Sequence, residues 1–245
     1  MIKVIISGIN GKMGQILKDE ISLDNDLRLV GGYDKIANDF IKNDFNKLPK
    51  TDILIDFSVP SLLDDILNYA VLNKVKLILA TTGYTSDDFN KIKIASKKIP
   101  IFYSANYSIG INQVINTLTN LGKTITKNEQ INIIDIHHKD KIDSPSGTAL
   151  YLANHLNNNL TEKRDIKTND YQLDSINIHS IRSGSTVGIH EIIIANNDET
   201  ITIKHDAHNK NIFAKGAIFA TKFIYNKEKG LYYMKDLYED NNGKI

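Results

Sequence analysis

The sequence predicts a two-domain α/β protein: a parallel sheet flanked by helices, joined to a smaller α+β domain with a mixed or antiparallel sheet. Three observations predict it. Over the first hundred residues, short apolar runs alternate with amphipathic stretches, as strand–helix–strand units do. A glycine-rich turn ends the first apolar run and opens the first helix. In the C-terminal half, three strand-like runs follow one another with no helix between them, which favours antiparallel or mixed pairing.

In chain order, residues 2–7 read as a strand, and 12–21 as a helix with Met13, Ile16, Leu17 and Ile21 on one face. Residues 27–33 and 53–57 are the next strands. Pro60 then introduces a helix around 62–73. A strand at 76–80, a helix at about 86–97 and a strand at 101–104 complete the alternation. The near-continuous Ile, Leu and Val of these strands fits burial on both faces. The pattern changes after Ser108: a helix over 109–123, a strand over 130–138, a helix over 148–156 and a polar loop over 157–170. Strands at 175–182, 187–195 and 199–205 precede a last helix over about 211–224, rich in Ile212, Phe213, Ala217, Phe219, Ala220 and Phe223. The boundary falls near Asn106–Ser108, and the last helix is expected to return to the first domain. Residues 1–107 with 209–245 then form one domain and 108–208 the other. No internal repeat or low-complexity tract stands out.

Composition narrows the function classes. A chain of 245 residues suffices for one large or two modest domains. Thirty basic residues against 29 acidic ones leave a net charge of +1. That balance gives no field to draw in nucleic acid or a membrane surface. The chain has no cysteine, which excludes disulfides, thiol nucleophiles and thiolate metal sites. No apolar run approaches the roughly 18–20 residues of a spanning helix. The N-terminus shows no secretory pattern, so the expectation is a soluble, cytoplasmic protein.

The turn Ser7-Gly8-Ile9-Asn10-Gly11-Lys12-Met13-Gly14 points to a dinucleotide. Gly8 permits the tight turn, Gly11 lets backbone N–H groups reach a pyrophosphate, and Gly14 lets the helix pack on the sheet. The spacing is G-x-x-G-x-x-G rather than G-x-G-x-x-G, so an ordinary strand–helix turn fits the glycines alone. Asp34 strengthens the case. It ends the second strand 20 residues after Gly14, where a carboxylate would accept from ribose hydroxyls. Lys35 beside it would attract a 2′-phosphate that Asp34 repels. The pair leaves NADH and NADPH both open, with a tilt to NADH. The first domain is thus read as Rossmann-type. Two more loops follow strands at their carboxyl ends, Ala80-Thr81-Thr82-Gly83-Tyr84 and Ser104-Ala105-Asn106-Tyr107. Their small and hydroxylated residues would let a flat nicotinamide approach the backbone.

The densest chemistry lies in Asp135-Ile136-His137-His138-Lys139-Asp140-Lys141-Ile142-Asp143-Ser144-Pro145-Ser146-Gly147-Thr148-Ala149. A strand ends in two imidazoles, a lysine follows four residues after the first, and a proline turn leads into a helix start. Strand alternation forbids both imidazoles from facing one way. Histidine exchanges protons near neutral pH, and lysine supplies a fixed charge and a second proton source. A helix N-terminus suits a carboxylate. A small anionic substrate that must be protonated would use all three. A metal site is the weaker alternative, because the histidines are adjacent and no third ligand is evident. His205 and His208 read as surface or hinge residues.

This segment closely resembles the signature of the 4-hydroxy-tetrahydrodipicolinate reductase (dihydrodipicolinate reductase) family of lysine and diaminopimelate synthesis. Gly8 through Gly14, Asp56-Phe57-Ser58, Thr81-Thr82-Gly83, Ala105-Asn106-Tyr107, Arg182-Ser183-Gly184 and Phe213-Ala214-Lys215-Gly216-Ala217 recur in family order along nearly the whole chain. The resemblance implies NADH- and/or NADPH-dependent reduction of a cyclic imine dicarboxylate, and a homotetramer assembled through the second-domain sheets. It implies His137 as acid/base and Lys141 as its partner proton donor. His138, Ser146, Gly147 and Thr148 fall on substrate-carboxylate contacts. With the loops above, the cofactor candidates are Gly8, Asn10, Gly11, Lys12, Met13, Asp34, Lys35, Phe57, Thr81, Thr82, Gly83, Ala105, Asn106 and Tyr107. No metal ligand is assigned. A hinge motion bringing the domains together and excluding water is expected.

Two positions depart from the family: Ala80 stands where Gly is common, and Lys210 where Arg is usual, which would weaken a bidentate contact. Two other readings compete. One is another dinucleotide-dependent dehydrogenase of amino-acid metabolism. The other is a non-catalytic NAD-sensing protein, which the His137/Lys141 pair opposes.

Overall fold

The computed structural model describes residues 1–168 and 170–240. The chain forms two units, one of Met1–Ser108 with the residues from Asn211 on, the other Ile109–Lys210.

The first unit is a seven-stranded sheet whose neighbours all pair in parallel. Its early elements are β1 (Ile2–Ser7), α1 (Lys12–Ser22), β2 (Leu27–Tyr33), β3 (Ile41–Lys42), β4 (Ile53–Asp56), α2 (Leu63–Asn73), β5 (Lys76–Leu79), α3 (Ser86–Ser96) and β6 (Pro100–Tyr103). The second unit holds α4 (Ile109–Gly122), β7 (Gln130–His137), α5 (Gly147–Asn159), β8 (Ile166–Lys167), β9 (Ile176–Arg182), β10 (Gly188–Ala195) and β11 (Thr200–Ala207). The chain then adds α6 (Asn211–Tyr225), β12 (Gly230–Tyr232) and α7 (Met234–Asp240) to the first unit.

Strand order in the first sheet is β12-β6-β5-β4-β1-β2-β3. The order 3-2-1-4-5-6 of a doubly wound sheet is therefore intact, with β12 added at one edge. Every residue of β4 is buried, as are all but one of β1 and β5, so these central strands carry apolar side chains on both faces. The direction of winding reverses between β1 and β4. A crevice therefore opens beyond their carboxyl ends, where open α/β sheets bind ligands.

The second sheet has the order β11-β10-β7-β9-β8. β9 runs parallel to β7 and to β8, whereas β10 and β11 are antiparallel to their neighbours, so the sheet is mixed. One face packs on α4 and α5 through Ile131, Ile133, Ile176, Ile178, Ile192 and Ile194. Towards one end the same face turns polar. Along β7 the inward positions run Ile131, Ile133, Asp135, His137, all buried. Strand register sets Asp135 beside His190 of β10 and Ser180 of β9, and His137 beside Arg182.

Three features differ from the sequence expectation. The stretch expected to be a loop over 157–170 begins inside α5, which runs to Asn159, and contains the two-residue β8. The short strands β3 and β12 were not foreseen, because runs of two or three residues carry no readable periodicity, and neither was the helix α7. His205 is half-buried opposite His190, and burial lowers its pKa, so it is not a plain surface residue.

Candidate active site

In the first unit, the cleft beyond β1 and β4 is lined by Gly8, Asn10, Gly11, Asp34, Lys35 and Phe57, with Tyr33, Ser58, Val59, Ser61 and Leu62. Gly8 has φ +78°, and a Cβ on it would lie 2.6 Å from the Phe57 carbonyl oxygen. A side chain there is excluded by conformation and by space. Gly14 lets α1 approach, since a Cβ there would come within 2.2 Å of the Gly8 carbonyl oxygen. The N-cap of α1 is Gly11, which offers no side chain to the first-turn N–H groups. Those groups, next to Lys12 and Met13, remain available to an anion. The Asp34 carboxylate accepts from the backbone N–H of Asn10 at 2.9 Å and of Lys35 at 2.7 Å. It is thereby fixed to the glycine loop with lone pairs to spare. A Cβ-free cradle, an uncapped helix start and a tethered carboxylate fit the phosphates and ribose of a dinucleotide.

The other cofactor candidates stand at the ends of β5 and β6. Thr82 and Gly83 are exposed, Gly83 at φ +86°, whereas Thr81 is buried. Ala105 is exposed, and the Asn106 Oδ1 accepts from the Ser108 N–H at 2.9 Å. The Tyr107 hydroxyl donates to the carbonyls of Leu79 and Phe102 inside the unit. Any cofactor contact by Tyr107 therefore falls to its ring or backbone.

In the second unit, His137 is the last residue of β7 and faces inward, while His138 lies beyond the strand and is half-buried. His137 Nδ1 stands 2.9 Å from Asp135 Oδ1, and His190 Nε2 stands 3.4 Å from the same oxygen. Ser146 caps α5, accepting from the Ala149 N–H, and its own N–H donates to Asp135 Oδ2 at 2.8 Å. Its hydroxyl lies 3.2 Å from His190 Nε2. Burial opposes ionisation of Asp135, but the His137, His190 and Ser146 contacts outweigh it and hold the carboxyl well below its usual range.

Lys141 pairs with Asp143 at 2.8 Å, close to the start of α5. Burial raises the Asp143 pKa, but the Lys141 ammonium and backbone donors outweigh it, and the net direction is down. An internal carboxylate thus sits on the Lys141 ammonium, one of the donors expected to serve the substrate. Thr148 follows on the first turn of α5, half-buried.

Sequence reasoning assigned no role to Asp135, His190 or Arg182. Asp135, His137 and His190 bring one ligand atom each within 4.8 Å, a set that could accept a cation. The Arg182 guanidinium, 3.2 Å from the same carboxylate, already compensates its charge. His190 was missed because only the pairing of β10 with β7 brings it to His137.

Both halves match family models: residues 2–107 match "Dihydrodipicolinate reductase, N-terminus", and residues 110–238 match "Dihydrodipicolinate reductase, C-terminus". The chain is 38% identical to the 4-hydroxy-tetrahydrodipicolinate reductase of Clostridium novyi over 99% of this chain and 100% of that one. It is 40% identical to the Clostridium tetani enzyme of the same name over 96% of each. Among solved structures, dipicolinate-bound dihydrodipicolinate reductase from Paenisporosarcina sp. TG-14 shares the fold, with a TM-score of 0.82, 23% identity, and coverage of 95% of this chain and 97% of that one. Matched in both units and over almost its entire length, the chain belongs to the dihydrodipicolinate reductase family.

Proposed function

We propose that this chain catalyses the NAD(P)H-dependent reduction of 4-hydroxy-tetrahydrodipicolinate to tetrahydrodipicolinate, a step of lysine and diaminopimelate biosynthesis. The observation that carries the reading is full-length family membership together with a buried carboxylate–imidazole pair beside a helix N-terminus. The first unit is the dinucleotide-binding domain. Gly8, Asn10, Gly11, Lys12 and Met13 hold the pyrophosphate, and Asp34 and Lys35 face the ribose, with NADH and NADPH both accepted. Phe57, Thr81, Thr82, Gly83, Ala105, Asn106 and Tyr107 shape the nicotinamide end. When bound, the reduced nicotinamide supplies a hydride.

The second unit is the substrate-binding and oligomerisation domain. His138, Lys141, Ser146 and the Gly147 and Thr148 N–H groups hold the substrate carboxylates, displacing Asp143. Electron density that builds on the ring needs a proton, which His137 delivers with Lys141 as partner donor. The chain acts as a homotetramer in the cytoplasm. Among the described residues no helix is long and apolar enough to cross a membrane.

The test is to mix the substrate with each reduced cofactor and follow nicotinamide absorbance. Turnover is expected with the wild type, and His137→Ala and Lys141→Ala should each lose about 10²–10⁴-fold in kcat while still binding cofactor. Full activity in both variants would refute the assigned roles, and an inert wild type would refute the reaction.

A further inference from the structure

The polar end of the second sheet is organised around an anion that the proposed chemistry does not itself consume. Asp135 is fully buried, and its two oxygens have different company. Oδ2 accepts from three donors: the Ser146 N–H at 2.8 Å, the Ser180 hydroxyl at 3.3 Å and Arg182 Nη2 at 3.2 Å. Oδ1 faces two imidazoles, His137 Nδ1 at 2.9 Å and His190 Nε2 at 3.4 Å. The two rings meet edge to face with centroids 5.3 Å apart. The His137 contact lies off the line of a hydrogen bond, as catalytic contacts often do until substrate is bound. On the other side of that ring, a Cβ at residue 188 would stand 2.9 Å from Nε2, so Gly188 keeps this nitrogen clear.

We propose that Asp135 is the positioning residue for proton transfer: it fixes His137 with the proton on Nδ1 and Nε2 presented to substrate, and it anchors the α5 N-terminus through Ser146. The proposal rests on the reading of His137 as the acid. In the step, the proton leaves Nε2 for the substrate atom made electron-rich by hydride addition. The N–H electron pair stays on the ring, and Nδ1–H remains against Asp135. His190 Nε2 approaches the same oxygen at 3.4 Å while pairing with the Ser146 hydroxyl at 3.2 Å. One buried side chain thereby ties the acid to the helix start that receives the substrate.

Asp135→Asn separates this role from bulk. The three donors on Oδ2 claim the amide oxygen, which leaves the NH2 facing His137 and His190. Nδ1 must then accept, and the proton moves to Nε2, the wrong tautomer for the cycle. The charged and titratable neighbours that remain are Arg182 on β9, His190 on β10 and His205 beyond it on β11.

We expect kcat to fall on the order of a hundredfold or more. Cofactor affinity should be unchanged, and no further loss should appear when Asp135→Asn is added to His137→Ala. Wild-type turnover in Asp135→Asn, with His137→Ala inactive, would overturn the positioning role alone. Wild-type turnover in His137→Ala would overturn the functional reading instead. A second measurement needs no variant to fold. Nitrogen NMR of the wild-type chain carrying isotope-labelled histidine reports the tautomers at alkaline pH. A His137 proton on Nδ1 is the expected result, and a proton on Nε2 would end the proposal.

Discussion

Asp56 is a second fully buried carboxyl, and it behaves oppositely to Asp135. It closes β4 at the carboxyl edge of the first sheet. Burial raises its pKa, and the hydrogen bonds that Ser58 donates to it, together with the nearby Thr81 and Ser7 hydroxyls, only partly offset this; the Tyr84 hydroxyl lies 3.3 Å from Oδ2. A carboxyl whose folded pKa exceeds its unfolded value of 3.8 binds its proton more tightly in the native state. Its contribution to stability is full below that value and drains as pH rises through the folded pKa. Asp135, with a lowered pKa, contributes at neutral pH and loses its contribution as pH falls below the unfolded value. Asp56→Asn keeps the Asp135 effect and removes the other. The melting temperature of the variant relative to wild type should therefore climb as pH rises from about 4 and then level off. A difference that stays flat across pH would show that Asp56 does not titrate on unfolding. Residues tied to a fixed spacing were legible in the sequence: Asp34 lies where the glycine loop demands, and the structure hydrogen-bonds it to that loop. Asp135 stood in plain view without a role, because only the pairing of β7 with β9 and β10 surrounds it with Arg182 and His190.

At the scale of elements, α6 shows how a helix distant in sequence is locked to the first unit. It buries Ala214, Gly216, Ala217, Ala220, Thr221 and Ile224 and packs on α1 and on β4, β5 and β6. Its C-terminus is closed by Lys76, whose ammonium reaches the carbonyls of Ile224, Tyr225 and Lys227 and suits the negative end of the helix dipole. The closest approach is at Gly216, where a Cβ would fall 1.7 Å from the Tyr107 carbonyl oxygen. Backbone cannot rotate away as a side chain can, so Gly216→Ala must push α6 off the β6–α4 connection. The cost should reach or exceed the 1–3 kcal/mol typical of overpacking, or roughly 5–10 °C in melting temperature. Lys215→Ala, on the exposed side of the same helix, should shift it by no more than about 1–2 °C. Equal shifts in a thermal melt would mean that α6 accommodates the methyl. The helix itself was readable from its apolar spacing, and so were the main strands of both sheets. The edge pieces β3, β8 and β12 were not, since two or three residues acquire strand character from the neighbour they pair with rather than from their own pattern.

At the scale of the molecule, each unit encloses its own apolar core, and the second sheet leaves one face without the covering that α4 and α5 give the other. On that open face Ile136 lies between Ile181 of β9 and Ile189 of β10, with Ile134 and Ile193 close by. Ile181 is 45% exposed and the other four are half-buried. Apolar side chains grouped on this sheet face are the surface the proposed association would use, and a second copy of the chain presents the same surface under a two-fold axis. The rim is built for register: His179 bonds Asn132 across the strands, and Glu191 stands opposite Lys204 on β10 and β11. Face-to-face pairing of these sheets is the simplest route to the proposed homotetramer. Ile193→Glu places a charge in that patch while leaving Asp135, His137 and His190 on the opposite face untouched. Light scattering coupled to gel filtration should give four chain masses for the wild type and fewer for Ile193→Glu, with the far-ultraviolet circular dichroism unchanged. An intact tetramer in the variant would move the interface elsewhere, and a monomeric wild type at micromolar concentration would remove the assembly altogether. The charge would be tolerated only if this face met water in the working protein, because burying an unpaired carboxylate between two sheets costs several kcal/mol.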